Sequence, residues 1–178
     1  MTSKRTDLNI QTVILCVACA ILYGCGYSLA PRGESIDSRI QKIYVDVFEN
    51  RTSQAEVENY VRAAFVNQFI QNSRFRVVSG AENADAIVRG TILNLHTSTV
   101  AHRKNDLAAA ERVTVIMAVV FEDQVNGKTI WSQKDMTDSV DYALSQDINL
   151  IANMRKQALM KLANDMAEKA FNLMMSGF

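Results

Sequence analysis

The chain is short of several things at once. It holds one proline, three cysteines and two histidines in 178 residues, and its 19 Lys and Arg are matched by 19 Asp and Glu. Balanced charge argues against nonspecific nucleic-acid binding, which needs a basic face. No uninterrupted apolar run approaches the roughly 20 residues that a membrane-spanning helix requires. No GxSxG, GxGxxG or Walker A pattern occurs, and no internal repeat or low-complexity tract is present. His96 and His102 have no Cys or carboxylate at metal-ligand spacing, so neither a metal nor a cofactor is expected. Asp46, Glu49, Asp85 and Asp123 each lie at a strand end or beside a turn signal, where carboxylates are ordinary, so the chain does not read as an enzyme.

What is present begins at the N-terminus. Lys4 and Arg5 make a basic start, and Val13 to Leu22 (VILCVACAIL) is a continuous apolar or small run. That length suits the h-region of a signal peptide, about 7–15 residues. Leu22-Tyr23-Gly24-Cys25 follows, with a small residue directly before a cysteine. It resembles a bacterial lipobox, which implies cleavage before Cys25 and a diacylglycerol and N-acyl chain on that residue. Cys16 and Cys19 would leave with the signal, so no disulfide could form. A multiply acylated cysteine anchors a protein firmly, because each buried CH₂ contributes about 0.8 kcal/mol. Gly26 in place of Asp favours, by resemblance to lipoprotein sorting, the periplasmic side of a Gram-negative outer membrane. The expected organisation is a signal peptide over 1–24, a lipidated cysteine and short tether over 25–40, and one domain over 41–178.

Along the domain, Ile43 to Phe48 alternates β-branched and aromatic residues and predicts a strand, broken at Glu49-Asn50-Arg51-Thr52. Ser53-Gln54-Ala55-Glu56 has the form of a capping box. Val57, Tyr60, Val61, Ala64, Phe65 and Phe69 then recur at helical spacing, which predicts a helix to about Asn72. Phe75 to Val78 is a short strand, and Ala84 to Val100 is a long β-prone stretch. In Arg112 to Phe121, residues Val113, Val115, Met117, Val119 and Phe121 share one face. Asn126-Gly127 signals a tight hairpin of type I′, with a return strand from Lys128 to about Met136. From Ser145 the pattern is helical, with Ile151, Met154, Ala158, Leu162, Met166, Ala170 and Leu173 in one stripe. The methionines of this helix read first as core packing and second as an adaptable partner surface. The order β-α-β-β-β-β-α predicts an α/β two-layer sandwich: a mixed, antiparallel-rich sheet of four to five strands with two helices packed on it.

Taken in order, "CGYSL" from Cys25, "KIYVDVFENRTSQAEVENYVRAAF", "FRVV", "ADAIVRGTI" and the closing helix resemble the LptE family of outer-membrane lipoproteins. The resemblance implies a small α/β sandwich that plugs the lumen of the LptD β-barrel, assists its assembly, and helps insert lipopolysaccharide into the outer leaflet. It also implies lipopolysaccharide contacts at basic residues in the loop between the two long central strands and after the hairpin. Here those are Arg103 and Lys104 in "AHRKND" and Lys134 in "WSQKD", which would gather at one end of the sandwich. Lipid A phosphates suit such donors. "IYVDVFENRT" is also similar to the first strand of TolB-N-like domains and of LpoB-type lipoproteins that activate cell-wall synthesis. Those carry a long linker after the lipid, whereas the tether here is far too short to cross a periplasm at roughly 3.3–3.6 Å per residue.

Overall fold

The computed structural model describes residues 36–72, 74–101, 110–145 and 147–177. In chain order these form β1 (Lys42–Val45), β2 (Glu49–Asn50), α1 (Val57–Gln71), β3 (Arg76–Val77), a 3₁₀ turn (Ala81–Asn83), β4 (Ala86–Ala101), β5 (Ala110–Asp123), β6 (Thr129–Ala143) and α2 (Ile148–Ser176). The strands build one open six-stranded sheet in the order β3-β1-β4-β5-β6, with β2 also beside β4. β1 runs parallel to β3 and β4, and β2 runs parallel to β4. β4, β5 and β6 form an antiparallel meander. The expected α/β two-layer sandwich is therefore present, with β2 as an additional strand. Glu49 and Asn50 have poor strand propensity, but pairing with Thr91 and Ile92 overrides it.

The period-two pattern of β5 decides which face is covered. Val113, Val115, Met117, Val119 and Phe121 are at most 2% exposed, while the residues between them are half-buried or exposed. Both helices lie on that one face. α1 contributes Val57, Val61, Ala64, Phe65 and Phe69, and α2 contributes among others Leu162, Met166, Ala170 and Met174. Phe69 joins the layers: its ring centroid lies 5.6 Å from Phe75, 6.1 Å from Phe121 and 5.2 Å from Phe171. Burying a side chain of this size stabilises by about 1.5–3 kcal/mol. Met166, Met174 and Met175 are buried here, so these methionines are core; Met160 stays exposed.

Several local expectations are corrected. The capping box does not form: Glu56, not Ser53, precedes the helix, in the left-handed region at φ 67° and with no side-chain cap. Asn50 organises this turn instead. Its amide donates to the Gln54 carbonyl at 2.8 Å and to Glu58 at 2.7 Å, and its oxygen accepts from Thr52 N–H at 2.9 Å. The β5–β6 turn is longer than a two-residue type I′ turn. Asp123 N–H donates to Lys128 O, Gly127 N–H donates to Asp123 O, and within the loop only Gly127 has positive φ. β6 continues past Met136 to Ala143, because every residue from Met136 to Ala143 keeps a partner on β5.

The folded domain also reaches back into the stretch read as tether. Ile36 and Ile40 are core residues, 3% and 1% exposed. Arg74 holds this segment: its guanidinium donates to Ile36 O at 2.6 Å and lies 5.2 Å from the centre of the Phe75 ring. Arg39 forms an ion pair with Asp123, which is buried.

Candidate functional site

Because both described helices sit on one side, no helix among the described residues lies over the opposite side of the sheet. Register places Tyr44, Ile87 and Glu122 side by side there, followed by Arg89 beside Val120 and Thr91 beside Ala118. Further along come Ile116 with Thr137, Thr114 with Ser139, and Arg112 with Asp141. Small, hydroxyl and β-branched side chains dominate this surface, and its charges neutralise one another. Arg89 reaches Glu122 at 2.6 Å and Asp46 at 3.4 Å. Arg51 pairs with Glu49 at 2.9 Å, and the Thr91 hydroxyl donates to the same carboxylate at 3.1 Å. These contacts hold Glu49 below the usual carboxylate range, Arg51 contributing most. Arg112 grips Asp141 through two nitrogens, at 2.6 and 2.9 Å, and lowers that carboxyl likewise. A shallow depression of about 360 Å³ lies on this face, between Asp46, Arg89, Thr91 and Val120. The arrangement is a two-sided slab, one side sealed by helices and the other a nearly neutral strand surface.

The acids singled out in the sequence all have structural partners. Asp85 accepts the backbone N–H groups of Lys42 at 2.8 Å and Gln41 at 3.0 Å, which hold its carboxyl below the ordinary range. Asp123 pairs with Arg39 and accepts from Val125 N–H at 2.9 Å, fixing the hairpin. His96 is exposed on β4, opposite Thr114. Among the described residues no group of three or more His, Cys, Asp or Glu side chains is placed to hold a metal ion. Among them, too, no helix is long and apolar enough to cross a membrane.

Of the residues expected to bind lipids, Cys25, Arg103 and Lys104 lie outside the described residues, as does His102. Lys134 is exposed on β6, at a bulge where Lys134 and Asp135 together oppose Ala118. The β4–β5 loop, however, joins Ala101 to Ala110. Ala118 stands eight residues along β5 from Ala110, about 27 Å at roughly 3.4 Å per residue. The described strands do not by themselves bring Lys134 to the end from which that loop springs; Arg103 and Lys104, the other expected members of the patch, lie outside the described residues. The sequence placed the return strand but could not place its bulge.

Near that end, the Tyr142 hydroxyl donates to the Glu111 carboxylate, linking β6 to β5. Burial above all, then Glu111, pushes the Tyr142 hydroxyl up to about 12. Arg155 of α2 has a buried Nε with no hydrogen-bond partner among the described residues. No periodicity marks these residues.

The family model for LptE, described as lipopolysaccharide-assembly, matches residues 40–174. No curated protein matches the chain by sequence. Among solved structures, a protein from Xanthomonas campestris aligns with a TM-score of 0.50 at 8% identity, covering 77% of this chain and 85% of its own. Lipoprotein B from Nitrosomonas europaea gives 0.49 at 12% identity, covering 85% of this chain and 91% of its own. A minor lipoprotein from Acinetobacter baumannii gives 0.46 at 12% identity, covering 78% and 94%.

Proposed function

The chain belongs to the LptE lipopolysaccharide-assembly family, and from that premise we propose that it is the lipoprotein partner of an LptD-like outer-membrane β-barrel. In this reading it sits as a plug in the barrel lumen, assists assembly of the barrel, and helps pass lipopolysaccharide to the outer leaflet. The carrying observation is the family match over residues 40–174. The helix-free, charge-neutralised face supports it, since such a surface can lie against a protein wall without burying unpaired charge, which costs several kcal/mol per ion.

Anchoring supports the same reading. With Ile36 already packed in the core, a lipid on Cys25 leaves only residues 26–35 as tether, at most about 36 Å when fully extended. A partner in the same membrane is within reach; a cell-wall enzyme across the periplasm is not. The lipidated Cys25 is the membrane contact, and the role is one of binding rather than catalysis.

Lipopolysaccharide contact falls to Arg103 and Lys104, between β4 and β5 in the sequence, and to Lys134 on β6. Charge-assisted hydrogen bonds contribute about 1.5–3 kcal/mol each. Arg103→Glu and Lys134→Glu should each weaken lipopolysaccharide binding by the unlipidated domain, and the double variant should lose at least about tenfold. Lys134 is exposed, and exposed substitutions stay within about 0.5 kcal/mol, so Lys134→Glu should leave folding unchanged; circular dichroism checks the same for Arg103→Glu. Equal binding by wild type and double variant, both folded by circular dichroism, would reduce these residues to surface charge.

A further inference from the structure

β4 outruns the strands on one of its sides, and this leaves part of its edge bare. β1 pairs with β4 from Ala86 to Val88, and β2 pairs with it at Thr91 and Ile92. On its other side β4 keeps its pairing with β5 as far as Ala101. Val88 O and Ile92 O point toward the short strands, where they accept from Asp46 N–H and Arg51 N–H. Alternate residues of a strand direct their backbone groups to the same side. The bulge between Ile92 and Asn94 shifts that alternation by one. Leu95, Thr97 and Thr99 therefore turn their N–H and C=O groups away from β5. Among the described residues none of these groups has a hydrogen-bond partner.

The stretch is bounded by bulges, the second between Thr99 and Ala101, but carries no other guard against pairing. It reads Asn94-Leu95-His96-Thr97-Ser98-Thr99, without proline, lysine, arginine or carboxylate. His96 and Ser98 on one face, and Thr97 and Thr99 on the other, are all exposed, so neither described helix covers it. The charges that register sets beside it are engaged: Glu111, next to Thr99, by Tyr142, and Arg112, next to Ser98, by Asp141. The end strands of the sheet differ. β3 has two residues, and on β6 Lys169 donates to Thr137 O at 3.4 Å while Asp138 accepts from Ser139 N–H at 2.8 Å.

We propose that this edge of β4 pairs antiparallel with the same edge of a second copy, about a two-fold axis at Thr97. Thr97 then faces its own counterpart, and Leu95 of each copy faces Thr99 of the other, each pair exchanging two hydrogen bonds. Centring on Thr97 engages all three outward residues, whereas centring on His96 or Ser98 leaves one out. Apolar and β-branched side chains meet across the seam, and no like charges do. The axis stands normal to the sheet, so the helices of both copies lie on one side. A barrel wall is not the occupant, because a closed barrel has no free strand edge to offer. The inference does not rest on the barrel reading: it concerns copies outside a lumen, and a copy inside one is shielded from a second.

The test uses the mature lipidated chain in detergent, with wild type as background for introduced cysteines. Thr97→Cys should form a disulfide-linked dimer under mild oxidation, because opposed hydrogen-bonded residues have Cα atoms about 5.5 Å apart, within disulfide reach. Thr99→Cys alone should not, since its two copies stand about 14 Å apart along the seam at roughly 3.4 Å per residue. Mixed with Leu95→Cys, it should. In wild type, amide exchange at Leu95, Thr97 and Thr99 should slow at least tenfold as protein concentration rises. Thr97→Lys, which sets like charges opposite each other at an exposed position, should weaken association at least tenfold and keep the wild-type circular dichroism spectrum. Cross-linking of Thr99→Cys alone as readily as Thr97→Cys would overturn the proposal in favour of chance contact within shared micelles. Exchange at these amides that ignores concentration would overturn it in favour of an edge left bare or covered by its own chain. Protection that arises only in a purified complex with a barrel would overturn it in favour of a partner's extended segment.

Discussion

Phe48 lies across Gly90, and the fit is close enough to fix the residue. A Cβ built on Gly90 would sit 2.2 Å from Phe48 Cε1 and 2.7 Å from the Ala118 carbonyl oxygen. Phe48 is 1% exposed and stacks at 5.1 Å on Phe65 of α1, so this one absence of a side chain lets the β1–β2 connection seal the core. Gly90→Ala should therefore destabilise the domain by about 1–3 kcal/mol, as overpacking does. In urea the midpoint should fall while the slope is unchanged; an unshifted midpoint would mean that Phe48 moves aside freely. The sequence shows Gly90 only as a glycine inside a β-prone stretch. The ring that requires it arrives from a different strand connection, and no local pattern carries that information. Asn50 is similar: its contacts come from loop geometry, while the sequence advertises Ser53 and Glu56.

At the scale of elements, the strongly periodic segments were the legible ones. β5 alternates without fault, and α1 buries the stripe its spacing predicts, because each packs one face against a core. The far half of β6 was not legible for the converse reason. As an edge strand it needs apolar residues at few positions, and Thr137, Asp138, Ser139 and Asp141 give no hydrophobic alternation. Tyr142 ties that half to β5 through Glu111, and this makes a pH prediction. Its hydroxyl is neutral in the folded chain up to about 12, whereas an unfolded tyrosine loses its proton near 10. The folded state thus holds a proton that the unfolded state has released. The stability so contributed is complete below about pH 10 and is lost as pH rises toward about 12. Unfolding midpoints followed over that range should fall more steeply for wild type than for Tyr142→Phe; parallel curves would exclude Tyr142 as the responsible group.

For the whole molecule, the order of elements and the two-layer plan followed from the sequence, and the family match over residues 40–174 agrees with the resemblance carried by its motifs. The candidate site was legible only in pieces. Basic residues can be found in a sequence, but whether they meet depends on register, and the bulge opposite Ala118 sets Lys134 far from the end of β5 that leads to the β4–β5 loop. The face that carries no helix among the described residues was not legible at all, since a two-layer sandwich covers one side of its sheet whatever the other side later touches. The proposed function assigns this face a partner. The direct measurement is affinity purification of the tagged, full-length lipoprotein from detergent-solubilised outer membranes, with gel filtration and limited proteolysis of the product. A large β-barrel should remain bound in equal amount, and the domain should resist protease in that complex while the isolated domain is cut. A lipoprotein that elutes alone, and is digested as fast in membranes as in isolation, would contradict the account.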